Sequence, residues 1–403
     1  MLHRRELLIG AGAAALGACA AKLREPASPA GTAPATAAAG GPTSPPGGDA
    51  ARWAPYRDTV SIDGAGGVWL VYPEDTPADE VAKAIAGELA QVRASGLTAV
   101  VTTVAPQGRF WLNDAAYDKT KRDMAAWSAQ IAEHRDIVLQ VDKAADLETA
   151  RRERRMAIVF TFQGTEPLGE DADRIAEFRR LGLRVMQLTH NRRNLVGDGC
   201  MEPSGAGLSR FGYEVVERLN AAKIVVDVAH GSQRTIHDGI AASKAPMLIS
   251  HTGCRALSDL PRCTPDAELR AMADKGGVAG IIFWPYLRTD SQPMAIDVVR
   301  HIEHALQICG EDHVGLGTDA TLAAIERTPE FENNNREMIA DMVKQGVFAR
   351  GRPADLYTFI PDLNVPNRFE LLAALLAARG HSDARIAKIL GGNFARVMRE
   401  VWG

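Results

Sequence analysis

Lys223-Ile224-Val225-Val226-Asp227-Val228-Ala229-His230 is followed, after a helical segment, by Ala245-Pro246-Met247-Leu248-Ile249-Ser250-His251. Each half is a short β-branched apolar run ending in a histidine, the form of a strand buried on both faces. The residues between, from about Arg234 to Ser243, are long enough for a crossover helix, so the unit reads as βαβ with both histidines at the carboxyl edge of a parallel sheet. That edge is where α/β barrels and open α/β sheets place their chemistry. Taken singly, either histidine reads as readily as a strand cap as it does as a ligand. The repetition of the pattern favours a site.

Outward from this unit the same alternation continues. Strands are expected over 60–63, 98–104, 157–163, 184–190, 223–230, 247–251, 277–283 and 314–319, with amphipathic helices over 78–95, 124–144, 173–181 and 213–220. Gly96, Gly182 and Gly310 fall between a helix and the following strand, as helix-terminating glycines do. Eight such repeats predict an α/β fold of the (β/α)₈ TIM-barrel type over 52–403. The segment 322–367 reads as a long loop or lid over the barrel mouth, containing one charged helix, and two helices over 368–379 and 383–390 precede a last short one.

The N-terminus has a different character. Arg4-Arg5 before Leu7-Leu8 and a small apolar run predict a twin-arginine-type export signal over 1–21, and Leu16-Gly17-Ala18-Cys19 has the form of a lipobox with Cys19 as the acylated residue. Residues 22–51 are Ala, Pro, Gly, Ser and Thr almost throughout, a flexible linker. The expectation is an exported, membrane-anchored lipoprotein on the periplasmic side. A net charge of -4 and no dense basic run beyond Arg151–Arg155 argue against nucleic acid as a partner. Cys200, Cys254, Cys263 and Cys309 are scattered and form no CxxC metal pattern.

Asp63, Gln163, His190, His230, His251 and Asp319 stand at strand ends, and Arg262 follows the sixth strand. These are metal-ligand and charge-stabilising types at the catalytic face of a barrel. Glu166 and Asp198 are nearby acids, read here as a helix-start acid and a turn residue. Arg192 and Arg193 beside His190 read equally as an attraction for an anionic substrate or as a solvated loop.

The runs Gln187-Leu188-Thr189-His190-Asn191, Gly207-Leu208-Ser209, Val225–His230, Ile249-Ser250-His251-Thr252, Gly276-Gly277-Val278 and His313–Asp319 resemble the membrane dipeptidase (renal dipeptidase, peptidase M19) family, as do Arg379-Gly380-His381 and Ile389–Phe394. The resemblance implies a barrel with two zinc ions that hydrolyses dipeptides or similar small amides, often as a homodimer. It assigns His230 and His251 to one zinc, and Asp319 to the other zinc and to the attacking water's proton. It gives His190 to polarisation of the scissile carbonyl and Arg262 to the substrate carboxylate.

The chain departs from the family where it has Asp63-Gly64-Ala65-Gly66-Gly67 in place of Asp-Gly-His-x-Asp, and Gln163 in place of a bridging glutamate. Ala65 and Gly67 have no donor, and an amide cannot bridge two cations as a carboxylate does. The expectation is therefore at most one zinc, on His230 and His251 with Gln163, Asp319 or Asp63 completing the set. A protein without metal stays open beside it. The default function is hydrolysis of a dipeptide or small amide by metal-activated water. Two alternatives stand with it: a non-catalytic protein that binds a peptide-like molecule, and an enzyme that matures one with Asp319 and His190 as an acid/base pair.

Overall fold

Eight short parallel strands lie side by side in the computed structural model, which describes residues 42–45, 52–73, 75–105, 114–346, 348 and 355–403. The expected export signal, Cys19 and nearly all of the linker lie outside the described residues. In chain order the strands are β1 (Ile62–Asp63), β2 (Gly66–Gly67), β3 (Ala99–Thr103), β4 (Val138–Gln140), β5 (Met156–Gln163), β6 (Leu183–Gln187), β7 (Val225–Asp227), β8 (Leu248–Thr252), β9 (Val278–Ile281), β10 (Val314–Leu316) and β11 (Ala320–Thr321). The main sheet runs β1-β3-β5-β6-β7-β8-β9-β10, the order expected of the eight strands read from sequence. The circle closes through backbone: Gly64 N–H donates to Leu316 C=O at 2.8 Å, and β2 pairs in parallel with β11. The protein is a (β/α)₈ barrel.

The helices between strands are α1 (Ala78–Ser95), α2 (Asp114–Glu133), α3 (Ala145–Glu153), α4 (Arg174–Arg180), α5 (Arg210–Ala221), α6 (Gln233–Ala242), α7 (Asp266–Asp274) and α8 (Ala295–Cys309). One expectation fails here. The helix read over 124–144 stops at Glu133, and Val138–Gln140 forms β4 beside the lower half of β5, whose upper half pairs with β6. Three residues between charged flanks are too short to show a period.

Side chains alternate across the strands. Val101, Val159, Val185, Val225, Leu248 and Val278 fill the barrel interior, while Val100, Phe160, Val226 and Ile249 pack towards the helices. The interior is plugged from its amino end by α12 (Asn393–Trp402), which follows α10 (Arg368–Ala378) and α11 (Asp383–Ala387). Phe394 sits at the β1–β10 seam, where a Cβ on Gly64 or Gly315 would overlap its ring. Glycine is what lets this aromatic wedge in.

The segment expected over the mouth carries α9 (Pro329–Lys344). Beyond it Phe348 is buried against Tyr286, with ring centroids 5.1 Å apart. Tyr286 in turn lies under the Arg262 guanidinium, so Phe348 stands one ring away from Arg262. No described helix is long and apolar enough to cross a membrane.

Candidate active site

β7 ends at Asp227, and the chain turns through Val228 and Ala229 to place His230 with φ +62°, the left-handed region a histidine seldom adopts. A clasp from the loop after His190 holds it there. Cys200 N–H donates to His230 C=O at 2.7 Å, Gly199 bridges Gly231, and the Asn191 side-chain oxygen lies 2.7 Å from His230 Nδ1. Asp198 ties this loop together. It accepts from Arg193 Nε, Ser204 Oγ and Ala206 N–H through its carboxylate, and its carbonyl accepts from Ser232 N–H and Thr235 Oγ1. Asp198 is thus the turn residue expected, and Arg193 is committed to it. Arg192 alone of the pair is left exposed without that partner.

His251 stands on β8, fully buried. Its Nδ1 is 2.7 Å from Ser250 Oγ, whose hydroxyl donates to Asp227 Oδ2; Asp227 Oδ1 accepts from the N–H groups of Ser250 and Ala229. The two Nε2 atoms of His230 and His251 meet at 2.8 Å. His190 stacks on the far side of His230 with centroids 4.3 Å apart.

Burial and the Arg262 charge together set the electrostatics of this pocket. Burial pulls His190 down to about 4 and His230 and His251 well below the ordinary imidazole value, and the Arg262 charge adds to the effect on all three. All three rings are neutral at physiological pH. The guanidinium is itself buried, rests over the Tyr286 ring at 5.8 Å, and has Nε and Nη2 without hydrogen-bond partners. A buried, unpaired cation is costly unless an anion completes it.

Asp319 follows β10 with φ +53°, pinned by its N–H to Ala65 C=O at 2.6 Å and by Trp284 Nε1 donating to its carbonyl at 2.5 Å. Burial raises its carboxyl to about 7, against the pull of Arg262 and with Asp63 adding to the rise. Asp63 serves the seam. It accepts from Thr318 N–H at 2.8 Å, Thr318 Oγ1 at 2.6 Å and Ala65 N–H at 3.2 Å, so the structure uses it as a strand tie rather than as a free ligand. Gln163 ends β5 opposite Gln187, half-buried. Glu166 opens a 3₁₀ turn (Glu166–Leu168) as expected of a helix-start acid, but it is buried, its carboxyl is raised to about 7 chiefly by burial, and Oε2 has no partner. Cys200, Cys254, Cys263 and Cys309 are all free thiols.

A family model described as membrane dipeptidase (peptidase family M19) matches residues 56–347, more than half of the chain. The chain belongs to the membrane dipeptidase family. It is 28% identical over 322 residues to the dipeptidase tcpJ of Claviceps purpurea, covering 78% of this chain and 68% of that protein. It is 32% identical over 270 residues to an uncharacterized protein in the pqqA 5' region of Klebsiella pneumoniae, covering 64% of this chain and 87% of the other. Among solved structures, an amidohydrolase from Pseudomonas aeruginosa superposes with a TM-score of 0.70 at 28% identity, over 86% of this chain and 98% of that one.

Membrane dipeptidases are generally zinc-dependent, so the residues present must be tested against that metal. Two ions do not fit: Ala65 and Gly67 offer no donor, Asp63 already accepts three hydrogen bonds from Thr318 and Ala65, and among the described residues no three His, Cys, Asp or Glu side chains form a metal-holding group. For one ion, two donors of the right kind are in place, since two imidazole Nε2 atoms converge at 2.8 Å, but no third His, Cys, Asp or Glu among the described residues forms a group with them.

The sequence did not single out Ser250, Tyr286, Trp284 or the link from Asn191 to His230. Ser250 and Asp227 stood inside the quoted motif, and that was the available signal. Nothing in the chain marks Tyr286 or Trp284 before the barrel is closed.

Proposed function

We propose that this membrane dipeptidase family member hydrolyses a dipeptide or small amide bearing a free carboxylate. The observation that carries the reading is the buried Arg262 guanidinium with two unpartnered nitrogens, in one pocket with three neutral imidazoles and a carboxyl near 7. Arg262 is the group to bind the substrate carboxylate, since a planar fork matches two carboxylate oxygens. That ion pair fixes the scissile carbonyl, and His190, neutral across the physiological range, donates its N–H to the carbonyl oxygen as charge develops there. Asp319, half-buried and with its carboxyl near 7, accepts the proton of the attacking water and returns it to the leaving amine. His230 and His251 are the residues that would hold a zinc ion, which supplies a Lewis acid that makes water nucleophilic near neutral pH. Export and acylation of Cys19 belong to the same proposal, with the barrel held at a membrane surface through the linker.

The test is zinc-supplemented protein assayed against a panel of dipeptides and N-acyl amino acids, with amidated C-termini as controls. Cleavage of the free acids over the amides supports the reading. No turnover across the panel refutes it and leaves the second reading, binding or maturation of a peptide-like molecule, which the missing donors at Ala65 and Gly67 favour.

A further inference from the structure

The carboxyl edge of β5 and β6 carries buried oxygen atoms that the fold leaves unsatisfied. Glu166 Oε2, Gln187 Oε1 and Thr189 Oγ1 belong to buried residues and have no hydrogen-bond partner. The chain around them sets their places. Gly164, with φ +149° and no Cβ, lets the Glu166 carboxylate fold back over the end of β5, into space that a Cβ there would fill. Gln187 ends β6 in register with Gln163 on one side and Asp227 on the other, its side-chain N–H donating to Thr189 C=O at 2.8 Å. Thr165 Oγ1 donates to Leu188 C=O at 3.3 Å, which fastens the turn bearing Glu166 to the strand end bearing His190. The Asn194 amide favours the charged form of Glu166 less than burial opposes it, because its Nδ2 already donates to Thr165 Oγ1 and Leu188 C=O. A buried acceptor without a donor is unfavourable, and a carboxylate more so, until a ligand supplies one.

We propose that Glu166, with Gln187 on the next strand, is the subsite for a free α-ammonium group, so that the molecule taken is a zwitterionic dipeptide rather than any amide with a carboxylate. The inference rests on the proposed role of Arg262 and names the other end of the same substrate. The strand order β5-β6-β7-β8 sets Glu166, His190, His230 and His251 in turn around the mouth, with Arg262 after β8. Three strand spacings make an arc of about 15 Å. An extended dipeptide spans about 7 Å, and the Arg262 and Glu166 side chains bridge the remainder. His190 then stands between the two ends, where the scissile carbonyl lies. At one end is a buried guanidinium with unpartnered nitrogens and at the other a buried carboxyl with an unpartnered oxygen. A zwitterion completes both. An ammonium group has three donors and no acceptor, which suits a set of bare oxygens, whereas a neutral water would leave the carboxylate charge uncompensated.

The experiment is calorimetric binding of the ketomethylene isostere of alanylalanine, which cannot be hydrolysed, and of its N-acetyl counterpart, to zinc-supplemented wild type, Glu166→Gln and Gln187→Met. The wild type should bind the free amine about 10-fold or more tighter than the acetylated form, since hydrogen bonds to charged groups are the strong ones. Glu166→Gln should lose most of that preference and Gln187→Met part of it. Thermal melts show which variants fold. Should Glu166→Gln not fold, an unchanged preference in Gln187→Met overturns the proposal. A preference within about twofold of the wild type's in a folded Glu166→Gln, equal binding of the two isosteres by the wild type, or binding of neither also overturns it. Binding of the free amine that depends on Glu166, in a protein that cleaves no dipeptide, sinks the hydrolase reading and leaves this one standing. Cleavage of N-acyl amino acids as fast as of dipeptides does the reverse.

Discussion

Replacing Glu166 by Gln tests whether buried charge is as costly in this barrel as the geometry implies. The carboxyl is 9% exposed, opens a 3₁₀ turn after β5 and leaves Oε2 without a partner, and burial raises it from 4.5 to about 7. A group whose pKa is higher folded than unfolded gives stability that is fully present below the unfolded value. That stability is lost as pH rises through the folded value. At about 1.4 kcal/mol per pH unit, moving from 4.5 to about 7 amounts to about 3 kcal/mol between acid and alkaline conditions. Glutamine keeps the shape and cannot ionise. Glu166→Gln should therefore match the wild type near pH 4 and exceed it by about 3 kcal/mol at pH 8.5, or about 4 °C in melting temperature for a domain of about 350 residues. The assay is urea or thermal unfolding of both proteins in parallel from pH 4 to 9. Other titrations cancel in the difference. A difference that does not change with pH, or one that grows towards acid, would show that Glu166 is ionised and satisfied in the fold and that the reasoning is wrong.

Four shorter tests address the site and scaffold. Arg262→Met should raise KM for a free-acid dipeptide by about 100-fold or more, because hydrogen bonds to a charged group contribute about 1.5–3 kcal/mol each, yet leave the melting temperature unchanged or higher, since the guanidinium lacks partners in the free protein. If Asp319 is the proton acceptor, kcat/KM should climb as pH rises through about 7, the value burial gives its carboxyl, and Asp319→Asn should abolish turnover while the protein still folds. Phe394→Ala should cost about 3–5 kcal/mol in unfolding free energy, the usual loss for a fully buried phenylalanine. Cys19→Ala should end labelling by a fatty-acid analogue and release the protein from the membrane fraction, whereas an unacylated wild type would remove Cys19 from the proposal.

The sequence carried the barrel because its strands are buried on both faces: uninterrupted runs such as Val225–Val228 and Leu248–Ile249 leave one reading, and the structure adds only β4 and the two-residue strands β2 and β11 to those expected. It carried His230 and His251 for the same reason, since a polar residue closing an apolar run has nowhere to go but the sheet edge. What it could not carry were contacts between distant residues. Asp63 looked available as a ligand, and only the approach of Thr318, 255 residues away, shows it to be a seam tie. Asn191 stood only as the last residue of the Gln187–Asn191 run, whereas its contact is His230, 39 residues on. Glu166 was read correctly as the start of a helical turn, but its burial depends on the chain folded around it.

The site also conflicts with the scaffold that carries it. His230 and Asp319 are held in left-handed backbone, Arg262 is buried without its full set of partners, and Asp319 and Glu166 are kept near 7 by lack of solvent. Each feature is unfavourable by about 1–3 kcal/mol, and of these only the Asp319 backbone, through its N–H to Ala65, takes part in the seam that Gly64, Leu316, Asp63 and Thr318 close. Strain of this kind persists where surrounding contacts over-determine it, as Cys200 does for His230 and Ala65 with Trp284 do for Asp319. A ligand that brings a carboxylate to Arg262 relieves one of these conflicts. Substrate should accordingly raise the melting temperature, because its carboxylate makes the pocket less unfavourable for the guanidinium charge.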